Sequence, residues 1–277
     1  MRIRASVAVV SGALAATALA APAAHAEETP FKLRTGPVTA TKGYAAAGKE
    51  YGQGDTRVSK VGFTSKPLVV GVSEVKKVQV TFTAKDNSGI VGATAMLWRG
   101  SHIDHPEDWY NLDEGATCSG SGTTVTCKGT ITFNPEEMWD NSDAGDWKLA
   151  VGAGAYDEDF HTLAEAKSFR LQRAGKLSVN ASPEPVTKGQ TLTVTGQLTR
   201  ANWLSQKYWG YAGQSVKLQY RAKNATSYTT LKTVKSNSEG KLSTTVKATA
   251  DGYYRYTFAG TTTTQAATAA GDYVDVR

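Results

Sequence analysis

The feature that most constrains the fold is a two-residue alternation of apolar and polar side chains, which recurs along the chain from about residue 58. In the stretch "KKVQVTFTAK", Val78, Val80, Phe82 and Ala84 share one face, and the polar residues between them share the other. Such alternation predicts half-buried β-strands. Because no stretch of a dozen residues keeps the 3.6-residue period of a helix, the sequence predicts an all-β protein.

The number and spacing of these alternating segments indicate the architecture. Six or seven strands separated by turn-rich segments are predicted between residues 58 and 173, and seven more lie between residues 176 and 277. Seven short strands in about 100 residues are typical of an immunoglobulin-like sandwich, although the paired Trp and disulfide of antibody domains are missing. The predicted fold is therefore two tandem immunoglobulin-like β-sandwiches after a cleaved signal peptide.

Charge divides the chain at the same place as the strand pattern. Residues 55–173 contain 17 acidic and 12 basic residues, net −5, whereas residues 174–277 contain 5 acidic and 13 basic residues, net +8. A contrast this abrupt favours a domain boundary near Arg173. We therefore expect an acidic sandwich, 55–173, and a basic sandwich, 174–277, each able to fold by itself.

The first residues have the features of a secretory signal peptide. Arg2 and Arg4 precede an apolar run, and Ala24-His25-Ala26 provides a small-x-small cleavage site, so residues 1–26 are the predicted signal peptide. Residues 27–54 are rich in Gly, Ala and Thr and are predicted to be a flexible lead-in. We expect a secreted, extracellular protein with no transmembrane segment. Export and the acidic half argue against a nucleic-acid partner.

Cys118 and Cys127 are the two cysteines of the chain. They pair in register if Gly122-Thr123 forms a two-residue hairpin turn, and Gly at the first turn position suits a type II′ turn. Export permits disulfides, so the sequence predicts a Cys118–Cys127 bridge. Two buried free thiols are the alternative.

The stretch "SHIDHPED" contains His102, Asp104 and His105 and overlaps a metallo-hydrolase pattern whose first histidine is replaced by Gly100. A catalytic metal needs several protein ligands and an open position for water. A metal-assisted hydrolase that uses these three residues is one hypothesis. A solvated acidic loop with two incidental histidines is the other, and we favour it because the helices of the metallo-hydrolase fold are missing.

Acidic residues are concentrated in two segments, 99–116 and 134–145. In immunoglobulin order these segments join strands C and D and strands E and F, at the same end of the sandwich. Carboxylates gathered at one pole repel one another unless a hard cation lies among them. If a calcium ion binds there, its predicted ligands are Asp104, Asp108, Asp140 and Asp143. A merely solvated acidic pole is the alternative, and we favour it.

The basic half has one aromatic segment, "NWLSQKYWGYAG", between two strands. Trp203, Tyr208, Trp209 and Tyr211 lie there beside basic residues, and such rings bind sugars or anionic polymers. The alternative, which we favour, is that the rings fold over an open end of the sandwich and contribute apolar area. The predicted partners are accordingly an anionic cell-wall polymer, a glycan or an exported protein.

No nucleophile has a recognisable partner, and the nucleotide-binding and hydrolase-elbow motifs are absent from the sequence. The predicted function is a secreted, non-enzymatic binding or structural protein, extracellular or envelope-associated, that binds calcium. The hydrolase above is one alternative, and an inhibitor or partner of an exported protease is another.

Several segments resemble a family of small secreted proteins from Streptomyces and related actinomycetes. They include "GKLSVNASPEPVTKGQTLTVTGQLTRANW" and "DGYYRYTFAG" in the second half and "VTFTAKDNSGI" and "AGDWKLAVGAGAYDED" in the first. The resemblance covers nearly all of residues 55–277. It implies secretion and two immunoglobulin-like domains, and members of the family are often labelled calcium-binding proteins or carry a domain of unknown function.

Overall fold

The computed structural model describes residues 32–34, 49–64, 66–138 and 140–277. The predicted signal peptide and most of the predicted lead-in lie outside these residues. Within the described ranges, no helix is long and apolar enough to cross a membrane.

The first sandwich consists of ten strands in two sheets. In chain order they are β1 (Glu50–Gln53), β2 (Arg57–Gly62), β3 (Leu68–Val70), β4 (Lys76–Lys85), β5 (Ile90–Arg99), β6 (Asp108–Asn111), β7 (Thr117–Ser121), β8 (Thr124–Phe133), β9 (Gly145–Ala155) and β10 (Phe160–Arg173). One sheet has the order β2-β4-β8-β7; the other has the order β1-β10-β9-β5-β6, with β3 parallel to β10. This is the strand order of an immunoglobulin-like sandwich.

The predicted alternation produces the core between these sheets. Val80 and Phe82 of β4 are buried beside Ile131 of the same sheet, in one core cluster with Leu97 and Leu149 of the opposite sheet. Trp147 lies in this core too, and its indole nitrogen donates a hydrogen bond to the backbone oxygen of Asp143 at 2.8 Å. The prediction of an all-β fold is confirmed.

Two details of the first sandwich correct the sequence prediction. Glu50–Gln53, assigned to the flexible lead-in, is a strand that pairs with the start of β10. Asp108–Asn111 forms an additional strand at the edge of β5, so the segment 99–116 does not join strands C and D directly. Alternation is too short over four residues to reveal such edge strands.

A second, smaller cluster covers the outer face of the β10-β9-β5 sheet. Trp98 projects from this face, opposite the main core, and packs with Tyr51, Ile103 and Phe160. The Trp98 indole nitrogen donates to the backbone oxygen of Ala164 at 2.7 Å. The N-terminal strand and the loop after β5 thus cover one face of the first domain.

The hairpin of β7 and β8 contains the disulfide. Cys118 and Cys127 are paired across it with their sulfur atoms 2.05 Å apart. Gly122 has a φ of +72°, which suits the first position of a type II′ turn. The predicted bridge and the predicted turn are confirmed.

The second sandwich also has ten strands in two sheets. They are β11 (Gly175–Leu177), β12 (Asn180–Ser182), β13 (Thr191–Asn202), β14 (Lys207–Gly210), β15 (Ser215–Ala222), β16 (Thr229–Lys235), β17 (Lys241–Lys247), β18 (Gly252–Phe258), β19 (Ala267–Thr268) and β20 (Asp272–Val274). In one sheet β13 pairs with β11, β12, β14 and β17. The other has the order β16-β15-β18, with β19 and β20 on the far side of β18.

The hairpin β13–β14 extends from the second sandwich onto the first. Trp203 at its tip is 1% exposed and belongs to the core cluster of the first sandwich. Its backbone N–H donates to the Asn141 side-chain oxygen at 3.0 Å. Nearby, Arg173 Nε donates to the backbone oxygen of Ala201 at 2.5 Å. The two domains are therefore joined by packed and hydrogen-bonded side chains as well as by the chain.

Candidate functional site

Four aspartates meet at one end of the first sandwich. Asp55 lies two residues before β2, Asp86 follows β4, and Asp157 and Asp159 lie in the turn between β9 and β10. Each carboxylate contributes an oxygen, and these oxygens all lie within 4.8 Å of one another. We call these residues the Asp55 cluster.

The spacing of the Asp55 cluster matches a calcium ion. Calcium–oxygen distances of about 2.3–2.6 Å place two ligands on opposite sides of the ion roughly 4.6–5.2 Å apart. All the donors are carboxylate oxygens, which hard cations prefer. The residues present therefore fit calcium, which also accepts backbone or water oxygens to complete its six to eight ligands.

Asp86 is the buried member of the cluster, with 1% of its surface exposed. It accepts hydrogen bonds from Thr56 Oγ1 at 2.6 Å and from the backbone N–H and hydroxyl of Ser88 at 2.7 and 2.6 Å. Burial alone raises the pKa of Asp86, but the hydrogen bonds from Ser88 and Thr56 outweigh it, and the pKa lies below its ordinary value. These hydrogen bonds thus keep the Asp86 carboxylate ionised and fix its orientation.

The turn before β2 is shaped to admit the Asp159 carboxylate. The Asp55 N–H donates to Asp159 Oδ2 at 2.9 Å, and Asn87 Nδ2 donates to Asp55 Oδ1 at the same distance. Gly54 adopts a φ of +73°, and a Cβ at this position would lie 1.4 Å from Asp159 Oδ2. Only glycine leaves room for this approach.

His161 lies on β10 shortly after the cluster and has a structural role. Its Nδ1 accepts a hydrogen bond from the Val58 N–H at 3.1 Å, so the proton is on Nε2, which donates to Glu50 Oε1 at 2.6 Å. Burial lowers the pKa of His161 more than the neighbouring Glu50 raises it. The imidazole is thus neutral and joins β1, β2 and β10.

The four aspartates predicted to bind calcium are not gathered into one group. Asp140 caps a 3₁₀ turn by accepting from the Ser142 N–H at 2.7 Å, and Asp104 lies 3.3 Å from His102 Nδ1. Asp143 and Asp108 do approach one another. Among the described residues the Asp55 cluster is the one group with metal-ligand spacing, and it contains none of these four.

Asp143 is buried against Arg99 and Tyr110. The Tyr110 hydroxyl donates to Asp143 Oδ2 at 3.5 Å, and Arg99 NH2 lies 4.0 Å from Asp143 Oδ1. Burial and then the neighbouring Asp108 carboxylate raise the pKa of Asp143 to about 6. Arg99 therefore occupies part of the space that a cation would need at the predicted pole.

The loop that contains the two histidines is anchored by Ile103. Ile103 is buried beside Tyr51, and the Tyr51 hydroxyl lies 3.4 Å from His102 Nε2. His105 donates its backbone N–H to the backbone oxygen of His102 at 3.2 Å, which makes a turn. Neither histidine belongs to a group with metal-ligand spacing among the described residues.

The four aromatic residues suggested by the sequence as ligand contacts do not form one platform. They are Trp203, Tyr208, Trp209 and Tyr211. Trp203 is buried in the first domain, which leaves its ring inaccessible. Tyr208 packs beside it under Lys176, whose Nζ is 3.8 Å from the ring centroid, and Tyr211 lies under Arg200. Trp209, 57% exposed, lies in a shallow groove that Tyr208 also lines. The predicted ring set is thus divided between the domain junction and the surface.

The Asp55 cluster was missed because its residues are far apart in sequence. The signals were present as two short polar turns, "DNS" at 86–88 and "DED" at 157–159. In immunoglobulin order the B–C and F–G turns lie at the same end of the sandwich. Asp55 completes the set because β2 starts at that end.

No protein-family model and no curated protein matches the sequence. Among solved structures, the chain is similar to the ectodomain of the polymeric Ig receptor of a teleost fish, with 15% identity over 78% of this chain and 98% of that chain and a TM-score of 0.24. It is also similar to the ectodomain of mouse nectin-like molecule 4, with 12% identity over 81% and 65% and a TM-score of 0.24. Three N-terminal domains of the bacteriophage RB49 outer capsid protein Hoc share 11% identity over 80% and 70%, with a TM-score of 0.30. At these identities the likeness concerns the fold alone.

Proposed function

We propose that the protein is a secreted, non-enzymatic binding module that holds a calcium ion in the Asp55 cluster. The observation that carries the proposal is the convergence of four carboxylates from three separate segments to within 4.8 Å. Secretion rests on the predicted signal peptide and on the resemblance to exported actinomycete proteins.

A calcium ion in this site would stabilise the fold. The carboxylates belong to the turn before β2, the β4–β5 turn and the β9–β10 turn, which are joined in the fold by hydrogen bonds such as Asp55 N–H to Asp159. An ion shared among them offsets the mutual repulsion of the carboxylates. Calcium at 100 times its dissociation constant stabilises the folded state by about 2.7 kcal/mol.

The test is calorimetric titration of the protein with calcium, with thermal unfolding followed in parallel. We expect one site per chain and a rise in melting temperature. Asp157→Asn with Asp159→Asn should abolish both effects. Asp104→Asn with Asp140→Asn removes the same charge from the pole predicted from the sequence, and this control should bind calcium like the unaltered protein.

Two outcomes would contradict the proposal. One is a melting temperature that millimolar calcium leaves unchanged, and the other is loss of calcium binding in the control pair with retention in Asp157→Asn/Asp159→Asn. Zinc analysis of the dialysed protein tests the non-enzymatic part, because a hydrolase that uses His102, Asp104 and His105 requires stoichiometric zinc.

A further inference from the structure

Strand pairing gathers tyrosines and arginines on the outer face of the second sandwich. In the β15–β18–β20 sheet, Arg221 is paired with Tyr253, and Tyr253 with Tyr273. Arg255 is paired with Gln219, two residues along, so it lies on the same face. The residues that alternate with them, among them Leu218, Tyr254 and Tyr256, point into the core.

The arginines of this face lie against tyrosine rings. Arg255 Cζ is 3.7 Å from the centroid of the Tyr228 ring, and Arg221 Cζ is 4.2 Å from that of Tyr253 and 5.3 Å from that of Tyr228. The rings of Tyr253 and Tyr273 are 5.1 Å apart. We call Arg221, Tyr228, Tyr253, Arg255 and Tyr273 the Tyr–Arg platform. Stacking on rings orients a guanidinium while leaving its N–H edge accessible.

The two arginines bond to neutral groups of the protein. Arg221 NH1 donates to the backbone oxygen of Ala225 at 2.6 Å, and Arg255 Nε donates to Gln219 Oε1 at 2.9 Å. The acid that contacts the platform, Asp251, accepts a hydrogen bond from the Tyr273 hydroxyl at 3.1 Å and pairs with Lys223 at 3.4 Å. Among the described residues no carboxylate forms an ion pair with either arginine. Both guanidinium groups therefore retain their charge and further donors for an external anion.

The corresponding face of the first sandwich is covered by the protein itself. There Tyr51, Ile103 and Phe160 pack over Trp98. The platform is covered only in part, by Tyr228 of the β15–β16 loop, and its members are each partly exposed. It also differs from a membrane-inserting surface, because the large exposed apolar side chains of the described second domain, Leu204, Trp209 and Leu231, are not on this face.

We propose that the Tyr–Arg platform binds an acidic polysaccharide whose sugars carry carboxylates. A guanidinium fork matches a planar carboxylate with two parallel hydrogen bonds. The tyrosine rings supply apolar surfaces against which sugar rings can pack. The net charge of +8 on residues 174–277 attracts a polyanion. This inference depends on the binding role proposed above but not on calcium.

The test uses the full chain and polygalacturonate, with binding measured by calorimetry at low salt. Arg221→Gln with Arg255→Gln should weaken binding at least tenfold. The matched control is Lys241→Gln with Lys247→Gln, which removes the same charge from β17 of the opposite sheet and should change affinity less than twofold. Thermal unfolding of each variant shows whether the fold is retained. Repeated on the same variants, the calcium titration should give an unchanged calcium dissociation constant.

Matched ligands separate sugar recognition from charge alone. Fully methyl-esterified polygalacturonate keeps the sugar chain and removes the charge, and we expect it not to bind. Polyglutamate keeps carboxylates without sugars and should bind at least tenfold more weakly. Equal binding of polyglutamate would overturn the proposal in favour of an acidic polypeptide. Equal weakening by the arginine and lysine pairs, or no binding of polygalacturonate by the unaltered protein, would overturn it as well.

Discussion

The indole nitrogen of Trp203 donates a hydrogen bond to the backbone oxygen of Val70 at 3.3 Å, which joins the tip of a hairpin in the second sandwich to a strand of the first. The same Val70 oxygen accepts from the Ala174 N–H at 2.9 Å, at the point where the chain passes between the domains. Trp203, which follows the predicted domain boundary in the sequence, thus completes the core of the first sandwich. The relative position of the two domains is therefore fixed by specific packing.

Trp203→Ala should destabilise the protein by about 3–5 kcal/mol, because it removes a fully buried indole and leaves a cavity. Denaturant unfolding monitored by circular dichroism measures the loss. Trp209→Ala is the matched control; this ring is 57% exposed, and its removal should cost under about 1 kcal/mol. Similar losses in the two variants would contradict the role of Trp203 at the junction.

The junction also shows what sequence patterns can and cannot predict. Alternation predicted the strands correctly, since it reports which side chains share a face of their own strand. It does not report which surface lies opposite a loop, so it could not place Trp203 in the core of the first sandwich. The boundary near Arg173, and whether each half folds by itself, stay predictions that the separate fragments 55–173 and 174–277 can test.

Replacing Cys118 and Cys127 by serine should lower the free energy of unfolding by about 2–3 kcal/mol. The bridge closes a loop with a sequence separation of 9, and its removal frees that part of the unfolded chain. Reduction of the unaltered protein should reproduce the effect, and reduction of the double variant should add nothing. An unchanged denaturation midpoint in the double variant would contradict the expectation.

Asp143 should make the protein less stable as the pH rises. Its pKa is raised to about 6 in the fold by burial and by Asp108, whereas the unfolded chain titrates near its ordinary value of 3.8. Between these values the folded protein binds more protons, so the stabilisation is complete below about pH 4 and is lost as the pH rises through about 6. The stability of Asp143→Asn relative to the unaltered protein should therefore increase across this window, by at most about 1.4 kcal/mol per pH unit. A difference that does not vary with pH would contradict the assignment.

His161 should act in the opposite direction. Burial lowers its pKa below the ordinary value of 6.5, so the unfolded chain takes up a proton on acidification before the folded protein does. Stability should fall as the pH drops below about 6.5. His161→Gln does not titrate, and its amide can still donate a hydrogen bond to Glu50. The difference in unfolding free energy between this variant and the unaltered protein, followed against pH, isolates the contribution of His161 from that of Asp143. Parallel pH profiles of the two proteins would contradict the predicted contribution of His161.

The candidate site was less predictable than the fold for a physical reason. Asp55 and Asp159 are 104 residues apart, and they meet because β2 and the β9–β10 turn share one end of the sandwich. Local counts of acidic residues favoured the end formed by segments 99–116 and 134–145, where Arg99 lies beside Asp143, whereas the carboxylates that converge are those of the Asp55 cluster. Charge density alone does not distinguish carboxylates that have cationic neighbours from carboxylates that converge on one another.

Gly54→Ala should weaken calcium binding strongly without changing any carboxylate. A methyl group there would collide with the Asp159 carboxylate, whose Oδ2 would lie 1.4 Å from the new carbon, so this ligand must move. The substitution also strains the backbone, because φ at Gly54 is +73°.

Gly115→Ala is the matched control: its φ is +80°, and nothing lies within 4 Å of the added carbon. It therefore reproduces the strain without the collision. Calorimetry should show at least a tenfold higher calcium dissociation constant for Gly54→Ala and an unchanged one for Gly115→Ala. Equal dissociation constants for the two variants would mean that Asp159 does not hold the ion.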